Sequence, residues 1–168
     1  AAIAIVDGRI AAVGHPEDVL REHADLERVD CRGAVAIPGL VDCHTHPAFG
    51  GDRAGEFDLR AQGADYERIH ASGGGIRSTV DATRRLGADG LGEATALHLG
   101  WMAANGTTTA EGKSGYGLDR DTELASLAAV AGPHPISTVP TYLGAHSVPP
   151  EVGSADDATH DTTRIDDV

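Results

Sequence analysis

The sequence predicts an α/β fold in which strands and helices alternate along a chain of 168 residues. Three segments rich in apolar and β-branched residues are separated by segments with helical periodicity, and this order favours a parallel sheet. Polar residues follow each predicted strand. Because active sites of (β/α)8 barrels lie at the carboxyl ends of the strands, the sequence fits an incomplete (β/α)8, TIM-like barrel of about three strands. A small β-rich segment precedes it.

Residues 1–36 are predicted to form this β-rich cap. Two apolar runs flank Asp7-Gly8, a dipeptide typical of tight hairpins. A short helical turn over residues 15–20 and a third strand over residues 27–31 are expected to follow. The chain has no initial Met and begins within a strand pattern, so we expect an N-terminus that is truncated or processed.

Residues 37–150 are predicted to hold the first βα units of the barrel. A buried first strand starts near residue 35 and leads into His44 and His46. Side chains alternate along a strand, so Asp42 and both histidines point the same way. Two imidazoles in this arrangement can bind one metal ion. An isolated His-x-His is more often a solvated strand end, but the buried strand and the following Pro47 favour a metal site.

The remaining elements of this region follow from periodicity and from Gly and Pro positions. The Gly-rich passage over residues 49–78 is predicted to be a long loop that acts as a lid or hinge over the site. His98 is assigned a packing role inside a helix. The other predicted elements are helices over 77–86, 91–105 and 121–131, the last with Asp119 and Thr122 as candidate caps. A second strand is predicted over 107–110, and a third strand with its exit over 135–146.

Composition and charge narrow the classes of function. The net charge of −13 argues against binding to nucleic acid, whose phosphates would be repelled. Lys113 is the only lysine, and so acidic a surface suggests a salt-adapted host. No apolar run approaches the ~20 residues of a membrane span, and no signal peptide is evident, which predicts a soluble cytoplasmic protein.

Cys31 and Cys43 are expected to be free thiols. Residues 151–168 are acidic and without periodicity, typical of a disordered tail.

The run from Pro38 to His46 resembles the first-strand motif of the amidohydrolase superfamily. Further segments are similar to the imidazolonepropionase family, and the resemblance extends over residues 1–150. Lys-Ser-Gly-Tyr-Gly and Leu-Gly-Ala-His are much more specific than His-x-His alone. These segments are residues 51–60, 63–66, 72–79, 113–118 and 142–146.

The resemblance implies a small sandwich domain around the β-rich cap and a metal-dependent hydrolase of histidine degradation. Such an enzyme opens the ring of 4-imidazolone-5-propanoate to give N-formimidoyl-L-glutamate. It also implies one divalent metal, Zn or Fe, a small-molecule substrate and a homodimer of the full-length protein, with no membrane partner. By matching position, His44 and His46 bind the metal, while Arg53, Tyr116, His146 and Tyr66 bind the substrate.

Part of the catalytic machinery of that family is not expected in this chain. Its third metal-binding His, its acid/base Glu and its metal-binding Asp come from later strands, and His160 lies in the wrong context to replace them. The segment alone is therefore expected to be inactive. Two alternatives stay open: another cyclic amidohydrolase or deaminase with the same first-strand ligands, and a non-catalytic remnant completed by a second chain. The tail and Gly112, inside the Glu-x-Lys segment, keep the second alternative open.

Overall fold

The computed structural model of the chain describes residues 1–65, 68–69, 74–149 and 151–152. These residues fall into two compact units, Ala1–Ile37 and the chain from Pro38 onward. Tyr66, one of the predicted substrate-binding residues, lies outside the described residues, and so does nearly all of the acidic tail predicted over 151–168.

The first unit is built on a hairpin. Strands β1 (Ala2–Val6) and β2 (Arg9–Gly14) pair antiparallel. Asp7 and Gly8 turn the chain with φ of 49° and 71°, the positive values that two-residue hairpin turns require. Helix α1 (Pro16–Glu22) follows and buries Val19. The predicted hairpin and the short helix after it are both confirmed.

The strand predicted over residues 27–31 is wrong. The segment has no regular secondary structure. Asp30 Oδ1 accepts a hydrogen bond of 2.8 Å from the Arg32 N–H, and Arg32 and Gly33 have positive φ of 50° and 77°. A short Asp side chain that bonds to the backbone two residues on favours a turn, and here it overrides the β propensity of Val29.

The second unit contains a three-stranded parallel sheet in the order β3-β4-β5, formed by β3 (Leu40–Thr45), β4 (Thr107–Lys113) and β5 (Ser137–Thr141). Both pairings are parallel, with Asp42 opposite Ala110 and Lys113 opposite Thr141. The predicted mixed α/β fold with a parallel sheet is confirmed. All three strands end at the same edge of the sheet.

The first strand of this sheet differs from its prediction in length and burial. β3 begins at Leu40 rather than near residue 35. Val35 is 84% exposed, Leu40 52% and Val41 69%. Among the described residues β3 pairs with β4 alone, so it is an edge strand of the sheet. The apolar side chains of β3, for which the sequence predicted burial, are therefore exposed to solvent in this structure.

In the described part of the second unit, three helices with assigned bounds accompany the sheet. They are α2 (Ala54–Ala61), α3 (Ile76–Ala104) and α4 (Arg120–Ala131). Gly87, with φ of 63° and ψ of −177°, interrupts α3 and joins the two helices predicted there. The passage over 49–78 is not the continuous loop that was predicted, because α2 forms within it, with Glu56 in its first turn and Arg60 in its last.

The core of the second unit lies where α3 meets the sheet. Leu99 and Ala110 are fully buried and pack with Ile136. α4 is capped as predicted, since the Asp119 side chain accepts a 2.9 Å hydrogen bond from the Thr122 N–H.

Cys43, like Cys31 of the first unit, is an exposed free thiol. None of the helices in the described part of the chain is long and apolar enough to cross a membrane.

We predict that Leu99→Ala lowers the free energy of unfolding by about 3 kcal/mol, because it removes a side chain with no exposed surface from the packed core. Leu97→Ala is the matched control on the same helix. Leu97 is 52% exposed, so its loss should change the free energy by about 0.5 kcal/mol or less. Urea unfolding of both variants checks the difference, and equal effects would contradict this core assignment.

Candidate functional site

The site lies where the three parallel strands end. His46 directly follows β3, Tyr116 follows β4, and His146 follows β5. The ring of His46 lies 5.0 Å from that of Tyr116 and 4.7 Å from that of His146, between ring centroids. The rings of Tyr116 and His146 are 5.5 Å apart and almost perpendicular. Three of the predicted site residues therefore form one cluster, here called the ring cluster.

His44 adjoins this cluster. Its ring centroid is 5.9 Å from that of His46. The side chain is exposed, whereas His46 is half-buried. The two histidines stand two residues apart at the end of one strand, as the sequence predicted.

Ser114 and Gly115 bring the ends of β4 and β5 close together. The Ser114 N–H donates to the Thr141 carbonyl, and its hydroxyl oxygen accepts from the Leu143 N–H, each at 3.0 Å. Gly115 has φ of 116°, and a Cβ there would lie 2.9 Å from the Cβ of His146. Glycine is therefore required for His146 to approach the turn after β4.

The surroundings of His46 suit a ligand for a cation. Its Nδ1 is buried, and no described group forms a hydrogen bond with it. Burial, and then the nearby His146, lower the pKa of His46, so the ring is neutral at neutral pH. A neutral imidazole with an unused nitrogen is a good metal ligand. No group of three or more His, Cys, Asp or Glu side chains able to hold a metal is found among the described residues.

Lys113, at the end of β4, takes part in a polar contact between strands. Its Nζ lies 2.6 Å from Glu111 Oε1, which also accepts a 2.7 Å hydrogen bond from the Thr141 hydroxyl. The hydrogen bond from Lys113 is the largest of the contacts that hold the pKa of Glu111 below its usual value. The Thr45 hydroxyl donates to the Glu111 carbonyl at 2.7 Å, so the contact extends across all three strands.

Arg53 has a different setting from the ring cluster. It stands at the start of α2, where its Nε and Nη2 donate to Glu56 Oε2 at 2.8 and 2.6 Å. The other oxygen of Glu56 accepts from the Gly75 N–H at 2.7 Å and from the Ser78 hydroxyl at 3.5 Å. One carboxyl group thus joins Arg53 to the start of α3.

The structure also shows contacts around the site that the sequence did not indicate. His98, assigned a packing role, stacks on Phe49 at 4.3 Å with its ring nearly parallel, and its Nδ1 lies 2.8 Å from the Pro47 carbonyl. Phe49 in turn lies 6.2 Å from Tyr116. His98 therefore fixes the segment that follows His46.

Glu123 is the functional candidate that sequence reasoning missed. It is only 2% exposed, and it shares the buried face of α4 with Ser126 and Val130. Charged residues are almost never fully buried unless they are paired. Glu123 stands three residues before Ser126 and seven before Val130, the helical spacing of one buried face. This spacing is the sequence signal that could have identified it.

Comparison with known proteins supports the predicted resemblance. A scan against protein-family models gives no match. The chain is 60% identical over 161 residues to the imidazolonepropionase of Rubrobacter xylanophilus. This alignment covers 92% of the chain and 39% of the relative. The corresponding protein of Symbiobacterium thermophilum is 50% identical over 94% of this chain and 38% of its own length. The imidazolonepropionase of Halobacterium salinarum is 47% identical over 88% of this chain and 37% of its own length.

The chain therefore spans a little under two fifths of the length of these curated relatives. Identity of this extent over most of the chain confirms the resemblance to imidazolonepropionases that the strand-end motifs indicated.

We predict that the Arg53–Glu56 contact makes stability depend on pH. The hydrogen bond from Arg53 is the first cause that lowers the pKa of Glu56 in the folded chain. The ionised carboxylate therefore stabilises the fold at neutral pH, and this contribution is lost as the pH falls through the lowered pKa. Glu56→Gln should show a smaller fall in Tm than the wild type between about pH 6 and pH 3.

Asp58→Asn is the matched control, because it removes an exposed carboxyl group from the same helix. Thermal unfolding across this pH range should give the wild-type loss of Tm for that variant. A Glu56→Gln profile parallel to the wild type would contradict the stabilising role of the Arg53–Glu56 pair.

Proposed function

We propose that this chain, similar to the imidazolonepropionases over most of its length, supplies part of the active site of a hydrolase that opens the ring of 4-imidazolone-5-propanoate. The reaction breaks a cyclic amide C–N bond and gives N-formimidoyl-L-glutamate. The observation that carries the proposal is the ring cluster, in which His46, Tyr116 and His146 meet at the carboxyl ends of three neighbouring parallel strands.

We further propose that β3, β4 and β5 are the first three strands of a (β/α)8 barrel. The topology supports this, because the strands are parallel and neighbours in the sheet are also successive in the chain. The apolar side chains Val41 and Val139 are also 69% and 55% exposed on the outer strands. Further barrel strands would cover such side chains. By the same reasoning, the exposed Ile5 and Ile10 of the hairpin, at 60% and 68%, support residues 1–36 as part of a sandwich domain.

His44 and His46 would hold the one divalent metal of the site, Zn or Fe. The buried Nδ1 of His46 without a hydrogen-bond partner among the described residues supports this assignment. When bound, such a metal lowers the pKa of a water molecule and polarises a carbonyl group. Two imidazoles are fewer ligands than either metal takes in a protein site. The remaining ligands and the acid/base carboxyl group would come from residues outside this chain.

Tyr116 and His146 would orient the substrate against this centre. The phenol of Tyr116 can donate a hydrogen bond to the propanoate carboxylate, and His146 can bond to a polar atom of the imidazolone ring. Arg53 is proposed to bind the same carboxylate, because a guanidinium group matches carboxylate geometry. Its Nε and Nη2 are already oriented by Glu56. Tyr66 is proposed for the same pocket from its matching position alone.

We predict that His44→Ala and His46→Ala each abolish most of the metal content of the full-length protein, because each removes one of the two ligands from this chain. His23→Ala is the matched control, because no ligand role is proposed for His23. Metal per chain, measured by plasma mass spectrometry after dialysis, checks the loss. Full occupancy in both variants would refute the metal assignment.

We predict that Tyr116→Phe raises the KM for 4-imidazolone-5-propanoate about tenfold or more in the full-length protein and changes kcat much less. The variant removes one hydrogen bond to a charged group, and this bond is made to the substrate before and during reaction. Tyr142→Phe is the control, since Tyr142 lies at the exit of β5 and is 42% exposed. Steady-state kinetics measure both, and an unchanged KM in Tyr116→Phe would remove Tyr116 from the substrate site.

A further inference from the structure

We propose that Glu123 is a positioning residue for substrate binding, because it fixes the backbone turn that carries Tyr116. This inference rests on the proposed role of Tyr116 in holding the substrate carboxylate. Glu123 would not touch the substrate. Its effect would pass through residues 116–118, which connect the end of β4 to the cap of α4.

The contacts of Glu123 support this role. Its Oε1 accepts two backbone hydrogen bonds, from the N–H groups of Gly117 and Leu118, both at 2.8 Å. The residue is 2% exposed, so these bonds form away from water, where losing the acceptor leaves two buried donors unpaired. Its Oε2 is buried and has no partner among the described groups. The carboxyl group therefore serves the turn rather than an ion pair in the described structure.

The turn needs such a restraint. Leu118 has φ of 54°, a left-handed conformation that costs about 1–2 kcal/mol for a residue with a Cβ. Gly117 packs so closely on α4 that a Cβ there would lie 2.8 Å from the Cβ of Thr122 and 3.0 Å from Glu123 Oε1. A strained turn persists only where its surroundings hold it. Directly before it stands Tyr116, in contact with His46 and His146.

A second charged residue holds the same turn from another helix. Arg84 of α3 donates from Nε to the Gly117 carbonyl at 2.6 Å. Its guanidinium group is oriented by Asp119 at 3.0 Å and by Glu151, with two bonds of 3.1 Å. The N–H and the C=O of Gly117 are thus bound by side chains of two different helices. Tyr116 is therefore fixed in place by α3 and α4 as well as by β4.

The test compares Glu123→Ala with Glu123→Gln in the full-length protein, each alone and combined with Tyr116→Phe. Gln keeps an oxygen that can accept both N–H groups, whereas Ala keeps none. We expect Glu123→Ala to raise the KM for 4-imidazolone-5-propanoate about tenfold with a smaller change in kcat. Glu123→Gln should stay within about threefold of the wild type. In the Tyr116→Phe background, Glu123→Ala should add less than about threefold, because both changes remove the same substrate contact.

The possible results separate this inference from the proposed function. If Tyr116→Phe leaves KM unchanged, the role of Tyr116 in the substrate site is wrong, and the positioning role of Glu123 is overturned with it. If Tyr116→Phe raises KM while Glu123→Ala does not, the proposed function stands and the positioning role is overturned. Fully multiplicative effects of the two changes also overturn it, since independent actions combine in that way.

Two further measurements cover the case in which Glu123→Ala folds poorly. Arg84→Met removes the bond to the Gly117 carbonyl from a side chain that is 26% exposed, and it should raise KM in the same direction by about threefold. Amide hydrogen exchange at Gly117 and Leu118 should be about tenfold faster in Glu123→Ala than in Glu123→Gln. Unchanged KM in Arg84→Met, or equal exchange rates in the two Glu123 variants, would overturn the inference.

Discussion

The parallel pairing of β4 with both β3 and β5 is the constraint on which the rest of the second unit depends. Parallel neighbours end at one edge of a sheet, so the residues after three separate strands meet there although they are far apart in sequence. His46 and His146 are separated by a hundred positions, yet their rings lie 4.7 Å apart. The connections that make the pairing parallel contain helices α3 and α4, and Leu99 of α3 packs in the core with Ala110 of β4. Site and core are therefore products of the same pairing.

Close approach between backbone segments makes the strand edge compact enough to be a site. A Cβ at Gly112 would lie 2.5 Å from Val130 of α4 and 3.2 Å from Pro47, which follows His46. Gly112 thus lets Val130 of α4 and the exit of β3 approach β4 closely. In the sequence, Gly112 is a departure from the pattern of the resembled family, and it keeps the alternative of a non-catalytic remnant open. In the structure a glycine at this position has a packing reason, since a Cβ would meet Val130 and Pro47.

The sequence was informative wherever a local rule decided the outcome. Asp7-Gly8 determined the hairpin, and Asp119 determined the start of α4. The polar residues after each strand indicated the edge of the sheet at which the ring cluster forms. It failed where a second interaction competed. At residues 27–31 the Asp30 side chain formed a turn with Arg32 against the β propensity of Val29. The predicted burial of β3 was also wrong. An apolar pattern shows that a strand can be buried, but it does not show whether another element of this chain buries it.

The residues proposed to bind metal and substrate and the residues that hold the backbone around them differ in how far the sequence reveals them. His44 and His46 could be proposed as metal ligands from residue type and spacing, because metal binding demands particular groups. Tyr116 and His146 were proposed from the family resemblance, by matching position. Glu123 binds backbone N–H groups, which every residue but proline carries, so no partner residue type points to it. Glu56 has Arg53 as a partner three residues before it, but the sequence does not indicate its bond to the Gly75 N–H. Their role depends on which peptide the fold brings within 2.8 Å of the carboxyl group. A buried or part-buried carboxyl beside a glycine-containing turn is therefore better sought in the structure than in the sequence.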